Sequence, residues 1–307
     1  VAEEIPLVSV IVPAFNHEAF VTEALDSIRD AGYAHLEIVL IDDGSTDGTW
    51  DRVSRWRDAN PTITCIAKRQ ANAGVGRTLN RLIEEASGQF VAPLASDDRL
   101  VPGGIKTRVA FLRGNPQYKA VFGDCRVIDS NGVVLSEHGT GAGYAGSRTR
   151  LLMDPAGEIV KHWAVPGPVL LVDRRAIGLV GGYDETLLPE DWDLFLRLAA
   201  RNEIAYVDEV VAEYRLHGDN TVARPDRALA LAMDLQRVAW RSRRLFRGHL
   251  RLELIHETCT WAARAAQLRR QPVRWAAWKA ASIGMKLIAM AVPRRPSDQA
   301  GRAAGAQ

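Results

Sequence analysis

The first hundred residues alternate between short apolar runs and polar, turn-rich links. "LVSVIVPAFN" (Leu7–Asn16) is mostly β-branched before Pro13 and Asn16, which predicts a buried strand running into a turn. In the following "HEAFVTEALDSIRDAG", Phe20, Ala24, Leu25 and Ile28 share one helical face, and Gly32 supplies a stop. "LEIVLIDDGSTDGT" (Leu36–Thr49) predicts a second strand and a polar loop, followed by a helix over Trp50–Ala59. "TITCIAK" (Thr62–Lys68) predicts a third strand, Gly74–Gly88 a third helix and "FVAPLA" (Phe90–Ala95) a fourth strand. Strands and helices alternating over such short links predict right-handed βαβ units on a mostly parallel, Rossmann-like sheet. Ligands of such sheets bind beyond the carboxyl ends of the strands. The polar loops Pro13–Asn16, Asp42–Asp47 and Ser96–Asp98 end three of these strands, so all three are expected to open onto one crevice.

Beyond Asp98 the pattern changes. A helix is expected over Gly104–Arg113 and a strand over Ala120–Phe122, followed by a Gly-rich mobile loop at Gly139–Arg148. Gly167–Glu185 predicts a strand, a short helix and a Gly-Gly turn, and Glu190–Ala200 an amphipathic helix with acids in its first turn. From Asp226 the chain reads as helical and rich in Arg and Trp, and Pro293–Gln307 as disordered. The expected organisation is an α/β domain over 1–225, with halves near 1–100 and 101–225. A basic helical extension over 226–292 and a tail over 293–307 follow. No internal repeat is apparent.

Composition adds one feature. With 47% hydrophobic and 25% charged residues the chain is an ordinary globular one, but its net charge of +2 hides an asymmetry. From Asp226 onward, 14 arginines, two lysines and five acids give +11, so the rest carries −9. An acidic body with a basic tail suggests two surfaces with different partners. Arg mixed with Trp, Leu and Met suits a peripheral helix resting on the anionic inner face of a membrane. It suits equally an appendage packed on the acidic body, or on a second copy of the chain in a homodimer. No nucleic-acid-binding motif is present, so no such partner is expected. Cys65, Cys125 and Cys259 are odd in number and far apart, which argues against a disulfide framework and for a reducing, cytoplasmic compartment. No basic segment precedes the first apolar run, and the longest apolar candidate, Val273–Val292, contains Arg274, Lys279 and Lys286. Neither a signal peptide nor a membrane span is expected.

Three acidic pairs carry the candidate chemistry. Asp97 and Asp98, adjacent at a strand end, suit a hard divalent cation that would cancel their repulsion, or equally a helix cap. Asp42 and Asp43 lie in a turn, where acids are common. Glu190 and Asp191 open a helix, where they complement its dipole.

Taken in order, "VSVIVPAFN", "LIDDGSTDGT", "NAGVGRTLNRLIEEASGQFVAPLASDD", "GGYDE" and "EDWDLFLRL" resemble successive blocks of the family 2 inverting glycosyltransferases with the GT-A fold. The resemblance runs from Ile5 to Thr221 and rests on five blocks in sequence, not on any one. It implies an enzyme of cell-surface polysaccharide biosynthesis. Such an enzyme takes a nucleotide-sugar donor, UDP-linked in the first instance, and a glycan or lipid-linked acceptor. Pro13, Ala14, Phe15 and Asn16 would border the base, with Asp43 accepting its ring N–H and Asp42 on the ribose side. Asn72 and Arg77 would line the base and phosphate region. Ser96, Asp97 and Asp98 would form the metal motif for Mg²⁺ or Mn²⁺. Asp98 would be the principal ligand, Asp97 would serve metal and sugar, and His217 would be a further ligand. The first acid of the usual motif is Ala95 here. Asp191 would be the general base, and His162, Trp163, Gly182, Tyr183 and Glu190 would frame the acceptor. Gly139–Arg148 would act as a lid.

Three alternatives can be weighed on the residues. A sugar nucleotidyltransferase needs a Gly-rich phosphate loop after the first strand, where "PAFNHEAF" has no glycine. No GxGxxG follows that strand either, which disfavours a dinucleotide-dependent oxidoreductase. A catalytically silent nucleotide-sugar-binding or scaffold protein stays open.

Overall fold

A computed structural model describes residues 5–141, 146–218, 220 and 224–294. The apolar run after Pro6 forms β1 (Val8–Ala14), with α1 (Val21–Arg29), β2 (Leu36–Asp42), α2 (Thr49–Ala59), β3 (Cys65–Arg69), α3 (Val75–Glu85) and β4 (Phe90–Pro93) following in order. β1 pairs in parallel with both β2 and β4, and β2 with β3. Side chains alternate between the two faces of a strand. Val8, Val10 and Val12 of β1, with Ile38 and Leu40 of β2, enter one apolar core. Ile11, Val39 and Ile41 enter the other. Both faces are therefore buried, which is why these strands read as continuous apolar runs.

The second half completes the sheet. β5 (Arg99–Leu100) and α4 (Gly104–Gly114) are followed by β6 (Ala120–Ile128), β7 (Val134–Ser136), α5 (Arg148–Met153) and α6 (Pro155–His162). After them come β8 (Leu170–Asp173), α7 (Arg174–Leu179), α8 (Glu190–Ala199) and β9 (Ile204–Arg215). Among the described residues the sheet has nine strands in the order β3-β2-β1-β4-β8-β6-β9-β5, with β7 on β6. β8 runs antiparallel to β4 and β6, so the parallel half joins a mixed half. The sequence predicts only Ala120–Phe122 of β6, which continues to Ile128 through register shifts near Asp124. β9 is absent from the sequence reading because "VDEVVAEYR" places charges at several exposed or half-buried positions.

The start of α8 is fixed by Trp192, which is 1% exposed and donates its indole N–H to Ile159 O at 2.9 Å. Phe195, one turn on, meets Phe122 of β6 edge to face at 4.9 Å. Trp192→Ala removes both a large buried ring and a satisfied donor. We expect it to destabilise the fold by about 3–5 kcal/mol, measurable by denaturant unfolding.

Three helices follow: α9 (Ala228–Ser242), α10 (Gly248–Leu268) and α11 (Pro272–Ala291). α9 is tied to the body by charge, since Arg241 bridges Asp184 at 2.6 Å and also reaches buried Asp193. Arg197 pairs with the same Asp193 at 2.7 Å. No described helix is long and apolar enough to cross a membrane. The disordered reading of the tail falls almost wholly on 295–307, outside the described residues.

Candidate active site

The loops after β1 and β2 are locked together. Asn16 takes a left-handed backbone (φ 54°), donates its N–H to Ser45 Oγ at 2.9 Å and accepts the N–H of Thr46 at 2.8 Å. Asp42 accepts the N–H of Ser45 at 2.9 Å, and its other oxygen lies 3.1 Å from the Arg69 guanidinium. The buried Asp43 carboxylate accepts from Gln70 Nε2 and Ala73 N, both at 2.7 Å, and from Gly74 N at 3.0 Å. Asp43 thus pins the segment that opens α3. The Asn72 amide closes the same bracket by donating to Asp43 O at 3.0 Å. Gly44 (φ +79°) is required here, because a Cβ would lie 2.8 Å from Asn72 N. Pro13 and Ala14 end β1, and Phe15, next in the chain, is 43% exposed.

The loop after β4 meets two histidines. His217 Nε2 lies 2.8 Å from Asp97 Oδ2. His17 Nδ1 lies 2.7 Å from Ser96 Oγ and 3.7 Å from Asp97 Oδ1. The Asp97 Oδ1 atom is buried and has no hydrogen-bond partner. Among the described residues, one set of three metal-type donors comes together: His17, Asp97 and His217, their ligand atoms all within 4.8 Å of one another. A carboxylate with an orphaned buried oxygen between two imidazoles fits a divalent cation, and the nitrogen content suits Mn²⁺ better than Mg²⁺.

The two adjacent carboxylates are not equivalent. Burial would raise the pKa of Asp97, but the His217 hydrogen bond and the charges of His17 and His217 hold it below the usual range. Burial and then the Asp97 charge push Asp98 well above it. Asp98 accepts the backbone N–H of Arg215 at 2.8 Å, while Arg215 Nε donates to Asp97 O at 2.7 Å. Asp98 therefore anchors the end of β9, two residues before His217. It is not part of the three-donor set.

A second group of candidate residues starts at the Gly181–Gly182 turn. Both glycines have positive φ, and Gly182 O accepts from Arg197. Asn80 of α3 donates to Tyr183 O and accepts from Tyr183 N, and Arg77 pairs with Glu185 at 2.9 Å. The helix that Asp43 positions is thus bolted to the turn that leads into Glu190 and Asp191. Asp191 is enclosed by protein mass but keeps part of its surface in solvent. Burial pushes its carboxyl up to about 7, against the hydrogen bond from Trp192 N and the nearby Trp163 indole. Burial and then the Asp191 charge also push Glu190 well above its usual range. Burial, with the charges of Glu190 and Asp191, raises the buried Tyr183. A Cβ at Gly167 would lie 3.9 Å from Asp191 Oδ2. Gly167 opens the short 3-10 turn leading into β8, which pairs with β4.

The structure therefore gathers Asp191, Glu190, Tyr183, Gly182 and Trp163 on one side. Phe15, Asn16, Asp42, Asp43, Ser96 and Asp97 lie past the carboxyl ends of β1, β2 and β4 or at them, and Asn72 lies between β3 and α3. Trp163 takes a left-handed backbone (φ 42°) at the end of α6, whereas neighbouring His162 is exposed. Of the expected lid, residues 142–145 lie outside the described residues, as do Asp219 and Thr221 of the block after His217. Sequence reasoning missed His17. Its signal was its place directly after the β1 loop, where ligand-facing residues concentrate.

Comparison with known proteins gives a consistent likeness. The family model described as "Glycosyl transferase family 2" matches residues 9–161. A chondroitin synthase of Pasteurella multocida (strain Pm70) is 25% identical over 218 residues, 71% of this chain but 21% of that protein. This chain spans 21–30% of the length of the first curated relatives it matches. The solved structure of the mannosyltransferase PcManGT from Pyrobaculum calidifontis, in complex with GDP-Man and Mn²⁺, superimposes with a TM-score of 0.63 at 20% identity. That match covers 94% of this chain and 88% of the other. S. aureus TarS 1–349 in complex with UDP-GlcNAc gives 0.63 at 16% identity, covering 92% and 90%. Both likenesses bear on the fold, which is GT-A.

Proposed function

Because the chain belongs to glycosyl transferase family 2, we propose that it is a glycosyltransferase of cell-surface polysaccharide synthesis. It moves a sugar from a nucleotide-sugar donor to a hydroxyl of a glycan or lipid-linked acceptor, with inversion at the anomeric carbon. Residues 1–225 form the transferase domain, and the helices after Asp226 are an extension of it. One observation carries the reading: α3, held at its start by Asp43, is bolted to the turn that delivers Asp191. Donor loops and base thus belong to one framework.

The geometry supports the following roles. Phe15, with its exposed ring, and the Asp43–Asn72 bracket receive the base, and Asp42 faces the ribose. Arg77, held by Glu185, borders the phosphates. His17, Asp97 and His217 would hold Mn²⁺ or Mg²⁺, which would supply positive charge against the leaving diphosphate. The sequence-based preference for Asp98 as the principal ligand passes to Asp97, since Asp98 is committed to the Arg215 backbone. Asp191 takes the proton from the acceptor hydroxyl as it attacks, with Trp163 and Tyr183 beside it. Inversion in one displacement needs no second, nucleophilic carboxylate. The donor is UDP-linked in this proposal, and GDP-linked sugars are the first comparison to run.

The base predicts a pH profile. The Asp191 carboxyl is raised to about 7, and only its deprotonated form accepts a proton. The transfer rate should therefore climb as pH rises through about 7, with unit slope below that value. A rate already flat from pH 5 upward would remove Asp191 from this role. A scaffold protein that binds donor silently would show binding and no transfer at any pH.

A further inference from the structure

We infer that the outward face of α11 seats the protein on an anionic phospholipid surface. The helix packs on α10 along a narrow line: Ser282 and Ala289 are its only buried described residues. His256 Nδ1 meets Ser282 O, and His249 Nδ1 meets Ala289 O, both at 2.8 Å. The opposite side is apolar along the helix. Val273 is 81% exposed, Ile283 53%, Leu287 63%, Ile288 51% and Met290 72%. At helical spacing these residues share one stripe with Ala276, Ala280 and Ala291. Scattered exposed apolar residues need no explanation, but a continuous stripe does.

Charge selects the occupant. Arg274, Lys279 and Lys286 flank the stripe, and no acid occurs from Pro272 to Arg294. A second copy related by a two-fold axis would bring these cations towards their equivalents, with no carboxylate on the helix to answer them. An anionic lipid surface answers both features at once, since headgroups pair with the cations while the stripe enters the acyl boundary. The helix is not long and apolar enough to cross the bilayer, so it lies in the interface. The arginines of α9 have a different use, as Arg241 pairs with Asp184 and Asp193 of the body. The basic tail thus divides into a helix that packs and a helix that docks.

Flotation of the full chain with phosphatidylcholine vesicles, with and without phosphatidylglycerol, tests this. The protein should float with the anionic vesicles and stay behind with the neutral ones. Ile283→Glu with Leu287→Glu should abolish flotation while leaving the circular dichroism spectrum unchanged, since both residues are solvent-facing. Lys279→Ala and Lys286→Ala should each weaken partition about fivefold, an effect that fades at high salt. No flotation with phosphatidylglycerol, or equal flotation with both vesicles, would overturn the inference. So would a lipid-free dimer dissociated by Leu287→Glu, which would give the face to a second copy.

Discussion

Asp191→Asn should lower the rate of sugar transfer by about 10²–10⁴-fold while leaving donor affinity nearly unchanged. The substitution keeps the size of the side chain and the acceptor oxygen that receives Trp192 N at 2.6 Å. It removes only the capacity to take up a proton. Because Asp191 stands on α8 and the proposed donor site lies on the strand-end loops of the other half of the sheet, the loss should fall on the chemical step. The residual rate should also lose the rise through pH 7 that Asp191 gives it. Asp193→Asn is the contrasting change. Asp193 is buried and answers Arg197 and Arg241, so its loss should lower stability and leave the shape of the pH profile intact. An Asp191→Asn enzyme with normal turnover would show that another group takes the proton.

Asp97→Asn should weaken Mn²⁺ binding by roughly a hundredfold or more and carry donor binding down with it. The reasoning is electrostatic. Asp97 is the only carboxylate in the three-donor set, and its neighbours His17 and His217 are neutral ligands when they bind metal. Without it, two imidazoles face a divalent ion with no compensating charge. Asp98→Asn should do much less to metal affinity. Its oxygen accepts the Arg215 N–H at 2.8 Å, which an asparagine oxygen also does, and its raised pKa already disfavours the charged form. The pair of variants separates the two assignments, because a larger loss at Asp98 than at Asp97 would restore the reading made from the sequence.

Much of this was legible in the residues, for physical reasons. The parallel half of the sheet is buried on both faces, so its strands are unbroken apolar runs with turn residues at their ends. The three polar loops could be expected to meet, as Asn16 meets Ser45 and His17 meets Ser96, because a parallel sheet sends every strand's carboxyl end the same way. The second half was harder. β9 carries Asp208, Glu209, Glu213 and Arg215 along its length, so no apolar run marks it. Its partners lie far away in sequence, on β6 and on the two-residue β5. The three-donor set was hidden for the same reason: His17 and His217 are 200 residues apart and converge only because β1 and β9 both end near the β4 loop. The division of labour between Asp97 and Asp98 had no sequence signal, since adjacent identical residues differ only in what surrounds them. Membrane seating and packing on the body were both open readings of the basic tail, but the sequence did not divide them between helices, because Arg241 and Lys279 look alike until one is seen against Asp193 and the other beside an exposed apolar stripe.

Calorimetric titration of UDP- and GDP-sugars into the protein, with Mn²⁺ and with chelator, tests the shared donor cleft most directly. One nucleotide class should bind only with the ion present, Asp97→Asn should lose that binding, and Asp191→Asn should keep it. Absence of binding by every nucleotide-sugar in the presence of Mn²⁺, or metal-dependent binding that survives Asp97→Asn intact, would contradict the account.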